Sequence, residues 1–352
     1  MSEKAGSDSS ASHGVDDGVQ QEAVRAAQER TLGLYHQLMK INAASHLIRT
    51  LRQLGVVDAL REKQCTLEQL CEDRKLHADV LSEILDAAVA IGIVEQYQDD
   101  YALSRAAHLL CQYDHDLADE HWQKLAGLAS GEITRQAIDD RLHNDHLAAT
   151  QWTHTPAAME AAEVLDFGGD SSGQVAEILD LGCGSAVWTC AMAYRDPNTK
   201  VTAVDHPAAL EAASNTAASI GLGDRFQTIS GDPLNLQLVE SAYDWVVIAQ
   251  RLSGLGGGIE SEKFLNKAAR YLKPGGRLVV IDLVEIGGKP TLADRVDSLR
   301  LKLATRQGEV FTPEQLQKLM ASAGLCECQF ALLSKGHSKM GVAVARRAEE
   351  SN

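Results

Sequence analysis

The chain has 352 residues, more than one core of ordinary size fills, and it divides most naturally into two modules. Hydrophobic residues make up 45% and charged ones 23%, a globular composition, and no apolar run approaches the ~18 residues of a membrane span. The 49 acidic residues outnumber 33 basic ones, and a net charge of −16 repels a phosphate backbone, which argues against nucleic acid as a partner.

Residues 1–24 are rich in Ser, Asp and Gly and lack the apolar stretch of a secretory signal, so they are expected to form a disordered tail. Cysteines at 65, 71, 111, 183, 190, 326 and 328 include no C-x-x-C pair, which suggests neither a disulfide framework nor a metal site and fits a reducing cytoplasm.

From 25 to 115 the pattern is helical and then briefly strand-like. "LYHQLMKINAASHLIRTLRQLGVVDAL" carries apolar residues at three-and-four spacing, "TLEQLCEDRKL" opens on a capping Thr66 with Glu68 behind it, and "HADVLSEILDAAVAIGI" is a third amphipathic helix. "VEQYQDDYALS" reads as a hairpin turning at Asp99-Asp100. Three helices and a hairpin predict a winged-helix domain. Its third helix holds Asp79, Glu83 and Asp86 and no Lys or Arg, so dimerisation through the long first helix is a better use of the module than DNA binding.

Residues 116–170 predict a helical connector, ended by the Gly, Asp and Ser break "DFGGDSSGQ". Within 171–352, strands are expected at Val175–Leu181, Lys200–Asp205, Phe226–Ser230, Asp244–Ala249, Arg277–Val284, Glu327–Leu333 and Met340–Arg346. Helical stretches separate most of them, the last capped by Thr312 with Pro313 at its first position. The alternation predicts an α/β domain: a mostly parallel, seven-stranded, Rossmann-like sheet that binds its ligand beyond the carboxyl ends of the strands.

Three acids stand at such strand ends. Asp180 leads into Gly182-Cys183-Gly184, a turn that allows close backbone approach and opens a helix whose free N–H groups suit an anion. Asp205 follows at close to the ~20-residue interval at which a carboxylate reaches a ribose diol, although it also suits a helix cap before Pro207. Asp232, in "SGDP", is placed to accept from an exocyclic amine, or else is a turn residue. Together they imply a ligand with an adenosine-like half and an anionic end. Val187 stands where the dinucleotide fingerprint needs a small residue, which disfavours NAD.

The segments "VAEILDLGCGSAVWT", "VTAVDHPAALEAA", "ISGDP", "YDWVVIAQRL", "ARYLKPGGRLVVID" and "GEVFTPEQLQKLMASAGL" resemble, in order and spacing, the class I S-adenosylmethionine-dependent methyltransferases. With the winged helix and connector, residues 30 to 347 resemble the small-molecule O-methyltransferases of the plant phenolic and hydroxyindole type. The resemblance implies that Gly182 and Gly184 receive the methionine part of the cofactor, Asp205 the ribose, His206 the adenine face, and Asp232 with Pro233 the base. Ala249 and Gln250 would border the sulfonium, and Trp152 and Met159 would line a pocket for a flat acceptor, unless they are core. The implied product is an O-methylated hydroxyl on a small molecule, made by a homodimer.

One position departs from the family pattern. The histidine that serves there as general base falls on Ser253, nine residues after Asp244. Four readings stay open: a substitute base such as His154 or His146; an acceptor needing little deprotonation, including a carbon or nitrogen nucleophile; an anionic acceptor paired with Arg251; or a protein that binds the cofactor as a scaffold without turnover.

Overall fold

The computed structural model describes residues 13–108, 119–169 and 175–349, and by internal contacts the chain falls into two compact units, Met1–Asp119 and Glu120–Asn352. The first twelve residues, Cys111 and the break at 170–174 lie outside the described residues.

The first unit opens with α1 (His13–Gln53) and continues through α2 (Val56–Glu62), β1 (Cys65–Thr66), α3 (Leu67–Arg74), α4 (Ala78–Ala90), β2 (Val94–Tyr97) and β3 (Asp100–Leu103). Helix α1 therefore begins inside the stretch expected to be a disordered tail. From Gln20 the run "QQEAVRAAQER" is polar yet made almost wholly of good helix formers, and the helix extends back from it to His13. The single helix expected beyond it is broken at Gly55, whose φ of 70° is left-handed and ends the run before α2. Thr66 caps α3 in a box completed by Gln69 rather than Glu68. The hairpin turns one residue earlier than expected, at Gln98-Asp99, because Asp100 already pairs with both Tyr97 and Thr66. Leu51, Leu60, Leu70, Leu81, Leu85, Val94 and Leu103 bury a core between the helices and the three-stranded sheet β1-β3-β2, a winged-helix arrangement.

The second unit starts with helices: α5 (Asp119–Ser130), α6 (Asp140–Thr150), a 3-10 turn (Gln151–His154) and α7 (Thr155–Val164). Then follow β4 (Glu177–Leu181), α8 (Val187–Arg195), β5 (Lys200–Asp205), α9 (Pro207–Ser219), β6 (Phe226–Ser230), β7 (Tyr243–Ala249), α10 (Leu252–Leu255), α11 (Ile259–Tyr271) and β8 (Leu272–Leu283). The last elements are α12 (Leu292–Ala304), α13 (Pro313–Ser322), β9 (Leu325–Leu332) and β10 (Met340–Arg347).

The seven strands form one sheet in the order β6-β5-β4-β7-β8-β10-β9, parallel from β6 to β8 and antiparallel at β10 and β9. This is the Rossmann-like sheet read from the sequence. Strand β8 starts earlier than expected because Leu272 pairs with Tyr243 before Lys273-Pro274-Gly275-Gly276 bulges out and pairing resumes at Trp245 and Arg277. Successive residues feed opposite cores: Ile178, Ala203, Val247 and Val279 face α7, α8 and α9, whereas Leu179, Val204, Val246 and Val280 face α11 and α13. The chain leaves β4 toward β5 and β6 and returns on its other side at β7, so the order reverses between β4 and β7, and this opens a crevice above their carboxyl ends. Among the described residues no helix is long and apolar enough to cross a membrane.

Gly341 in β10 tests this packing. A Cβ there would lie 2.6 Å from the Phe330 ring and 2.8 Å from Val284 Cγ1, so Gly341→Ala is expected to cost ~1–3 kcal/mol of stability in urea unfolding; an unchanged midpoint would contradict the packing described.

Candidate functional site

The turn after β4 is built from backbone geometry that only a few residues allow. Gly182 and Gly184 have φ of 77° and 56°, and Ala186 sits in the same left-handed region at 54° just before α8. The N–H groups of Gly182 and Cys183 both donate to Val204 O, at 2.9 and 3.3 Å, and that of Gly184 donates to Asp205 Oδ2 at 3.0 Å. Asp205 Oδ1 accepts from the N–H of His206 at 2.8 Å. The Asp205 carboxylate thus clamps the glycine turn to the end of β5. It does not cap α9, as the alternative reading of the sequence had it; His206 is the N-cap and makes no side-chain cap bond.

Asp180 is 1% exposed. Its Oδ2 accepts from Thr189 Oγ1 at 2.6 Å, and its Oδ1 is buried without a partner. Burial pushes its pKa up to about 7, opposed by the Thr189 bond and aided by the nearby Asp205 charge. A second buried acid, Asp282 at the end of β8, receives the N–H of Ser253 at 2.8 Å and that of Leu283 at 2.8 Å. Burial raises it to about 6 against hydrogen bonds from the Ser253 side chain and backbone. Ser253 is itself 3% exposed.

Gln151, at the head of the 3-10 turn, is 1% exposed and accepts from the N–H of Ser185 at 2.9 Å and from its hydroxyl at 3.3 Å. A Cβ on Gly184 would stand 2.5 Å from Gln151 Oε1. Gly184 is therefore required twice, by its φ and by its neighbour.

Gln250, with φ 55°, closes β7 and links two rings. The Trp188 indole N–H can only donate, so the Gln250 amide turns its Oε1 to Trp188 Nε1 at 3.1 Å and its Nε2 to His154 Nε2 at 3.1 Å. That bond consumes the lone pair of His154 Nε2 and puts the imidazole proton on Nδ1. His154 stacks on Trp188 at 5.8 Å between ring centroids, and burial, with the His337 charge, lowers its pKa. In this arrangement His154 orients Gln250 and has no basic nitrogen to spare.

The remaining sequence-selected residues scatter more widely. Asp232 spends Oδ1 on the N–H of Leu234 and Oδ2 on the Asn235 amide, the turn role weighed for it, while Pro233 beside it is buried and His206 is exposed. Ala249 is buried at the end of β7. Met159 packs against the sheet core, and Trp152 is 41% exposed. His146 bonds to Arg300. Arg251 is 9% exposed and its Nε is buried without a partner.

Gln151, His143 and Asp282 lie at this centre without having been selected from the sequence. His143 on α6 lies 3.7 Å from where a Gly254 Cβ would stand, and burial, then the His146, Arg251 and Arg300 charges, lower its pKa to about 4. Asp282 carried a usable signal, an acid at the end of a strand next to the reversal. Gln151 and His143 carried none, because their partners are remote in sequence.

Comparison with known proteins agrees with this geometry. Residues 178–276 match the methyltransferase domain family and residues 36–112 the O-methyltransferase dimerisation domain. The chain is 26% identical to aclacinomycin 10-hydroxylase RdmB of Streptomyces purpurascens, over 79% of this chain and 80% of that protein. It is 23% identical to the mitomycin biosynthesis 6-O-methyltransferase of Streptomyces lavendulae, over 74% and 79%. The fold is shared with human N-acetylserotonin methyltransferase, solved in complex with S-adenosylmethionine, with a TM-score of 0.62, 18% identity and coverage of 97% of this chain and all of that one. The chain belongs to the class I S-adenosylmethionine-dependent methyltransferases of the small-molecule O-methyltransferase type, carrying an O-methyltransferase dimerisation domain ahead of its methyltransferase domain.

Proposed function

We propose that the protein methylates a hydroxyl on a small, flat acceptor by in-line displacement, without a histidine base at Ser253, and that it works as a homodimer. The observation that carries this reading is the turn Gly182–Ala186 clamped by Asp205 at the point where the strand order reverses, with the buried, unpartnered Asp180 Oδ1 beside it.

The turn and the buried carboxylates fit S-adenosylmethionine. Gly182 and Gly184 would receive its methionine end through close backbone approach at the start of α8, their Cβ sides being taken by Arg251 and Gln151. Both Asp205 oxygens already accept from backbone, yet a carboxylate has about four lone-pair sites, which leaves acceptors for a ribose diol. His206, Asp232 and Pro233 would border the adenine, and Ala249 and Gln250 the sulfonium, with Gln250 held in place from both sides by Trp188 and His154. When bound, the cofactor supplies a methyl group activated by positive sulfur. The protein's task is then to align the acceptor and exclude water, which can provide most of the rate.

Base catalysis is worth about two to four powers of ten, and Ser253 cannot supply it alone. His154 has its lone pair engaged, so an acceptor that needs little deprotonation fits this centre better than a simple alcohol. Such acceptors include carbon and nitrogen nucleophiles, and product analysis separates the three. Trp152 and Met159 are the proposed flat walls of the acceptor pocket.

Helix α1 supports the dimer. It exposes Leu34, Tyr35, Leu38, Met39 and Ile41, each 48–57% exposed, in the chain taken singly, and several lie within the matched dimerisation segment.

Calorimetric titration with S-adenosylmethionine is expected to show binding that Asp205→Ala and Gly184→Ala each weaken at least about tenfold, a loss of ~1.4 kcal/mol; equal affinity in both variants would refute the assigned cradle. Incubation of the wild type with a panel of phenolic, enolic and amine acceptors should release S-adenosylhomocysteine. Cofactor binding with no product from any acceptor would favour the scaffold reading. Sedimentation velocity should find a dimer that Tyr35→Glu/Leu38→Glu converts to a folded monomer, and a wild-type monomer at micromolar concentration would remove the dimer from the proposal.

A further inference from the structure

Arg251 is a cation in the wrong place for a protein that binds nothing there. It follows Gln250 at the end of β7, is 9% exposed, and its Nε is wholly buried without a hydrogen-bond acceptor. Its stem lies along the glycine turn: a Cβ on Gly182 would meet Arg251 Cγ and Cδ at 3.2 Å and Nε at 3.4 Å. Among the described residues no carboxylate forms an ion pair with it.

The acids at the neighbouring strand ends are engaged elsewhere. Asp205 holds the N–H groups of Gly184 and His206, Asp282 holds those of Ser253 and Leu283, and Asp180 bonds Thr189. His143 stands near Arg251, and its own burial and the surrounding cations keep it neutral. A guanidinium removed from water loses a large solvation energy, which is recovered when an anion meets it; its planar fork suits a carboxylate or another oxyanion with two parallel N–H donors.

We propose that Arg251 is the oxyanion-binding residue of the methyl-transfer centre, pairing with an acidic oxygen group of a bound small molecule above Gly182. This rests on the reading that the crevice holds S-adenosylmethionine and an acceptor. The same chemistry has two sources, the amino-acid carboxylate of the cofactor and an acidic group on the acceptor. In the second case the acceptor enters already ionised or carries an acid beside the methylated atom, and a centre lacking a histidine at position 253 is matched to it.

The test uses the full chain as wild type, Arg251→Gln and Arg251→Lys. S-adenosylhomocysteine is titrated against 5′-methylthioadenosine, which lacks the amino-acid end. Benzoate is titrated against benzamide, on free and on S-adenosylhomocysteine-loaded protein. If the cofactor supplies the anion, Arg251→Gln weakens S-adenosylhomocysteine at least tenfold and leaves 5′-methylthioadenosine within twofold. If the acceptor supplies it, S-adenosylhomocysteine is unaffected, while a tenfold preference of the wild type for benzoate disappears in Arg251→Gln. Arg251→Lys keeps the charge and loses the fork, so it falls between in either case and carries the test should Arg251→Gln fail to fold.

The proposal is overturned if the substitutions change neither the S-adenosylhomocysteine affinity nor the ratio of benzoate to benzamide. A wild type that binds benzoate selectively but no S-adenosylhomocysteine would refute the cofactor reading while leaving the anion site standing.

Discussion

The bond from Gly184 N–H to the Asp205 carboxylate is the constraint on which the proposed cofactor site depends. It joins the end of β4 to the end of β5 at a buried point, and with the two N–H groups held by Val204 O it fixes the path of the chain into α8. A turn in this conformation is strained at Ala186 and costly at any side chain on 184, so it persists only because the neighbouring strand over-determines it. The shape of the crevice follows from that turn. Gln151 reaches it from one side, the Arg251 stem lies over it from another, and Asp180 supports it from below through Thr189.

A second layer of contacts ties the proposed acceptor side to the same frame. Arg135 donates to Thr305 O and Gly308 O, Arg306 pairs with Asp140, and the N–H of Glu309 reaches Ser253 O at 2.9 Å. The loop from 305 to 309 therefore connects α6, which carries His143, to the residues just past β7. The helices ahead of the sheet thus belong to the methyltransferase unit in structure, although the sequence presents them as a connector.

The fold was legible where periodicity is strong. Runs such as "EILDL" and "RLVVID" are apolar on both faces and have no other stable placement, so all seven strands are legible; β5 and β6 have the boundaries read from the sequence, and the others differ at their ends, where pairing with neighbours decides. The start of α1 is not legible in the sequence, because its first residues, "HGVDDGV", are poor helix formers and the run of Gln, Glu, Ala and Arg that favours helix begins only at Gln20. Of the candidate site, the glycines and strand-end acids are legible because each falls at the carboxyl end of a strand that the sequence marks. The tautomer of His154, the lock on Gln250 and the seat of Gln151 are not, since each is set by partners from other elements.

The contact between Gln151 and the Gly184 position makes two residues from different elements into one unit of sequence. Any side chain at 184 collides with the Gln151 amide, and any residue at 151 without an acceptor leaves the Ser185 N–H unsatisfied in a buried turn. Neither position is free to vary alone. Among related chains, a shorter polar residue at 151 is the condition under which the steric half of the demand for glycine at 184 would relax, leaving only the demand of its left-handed φ. The pair is then a covariation signature by which this arrangement of the turn after β4 can be traced through sequences that have no structure.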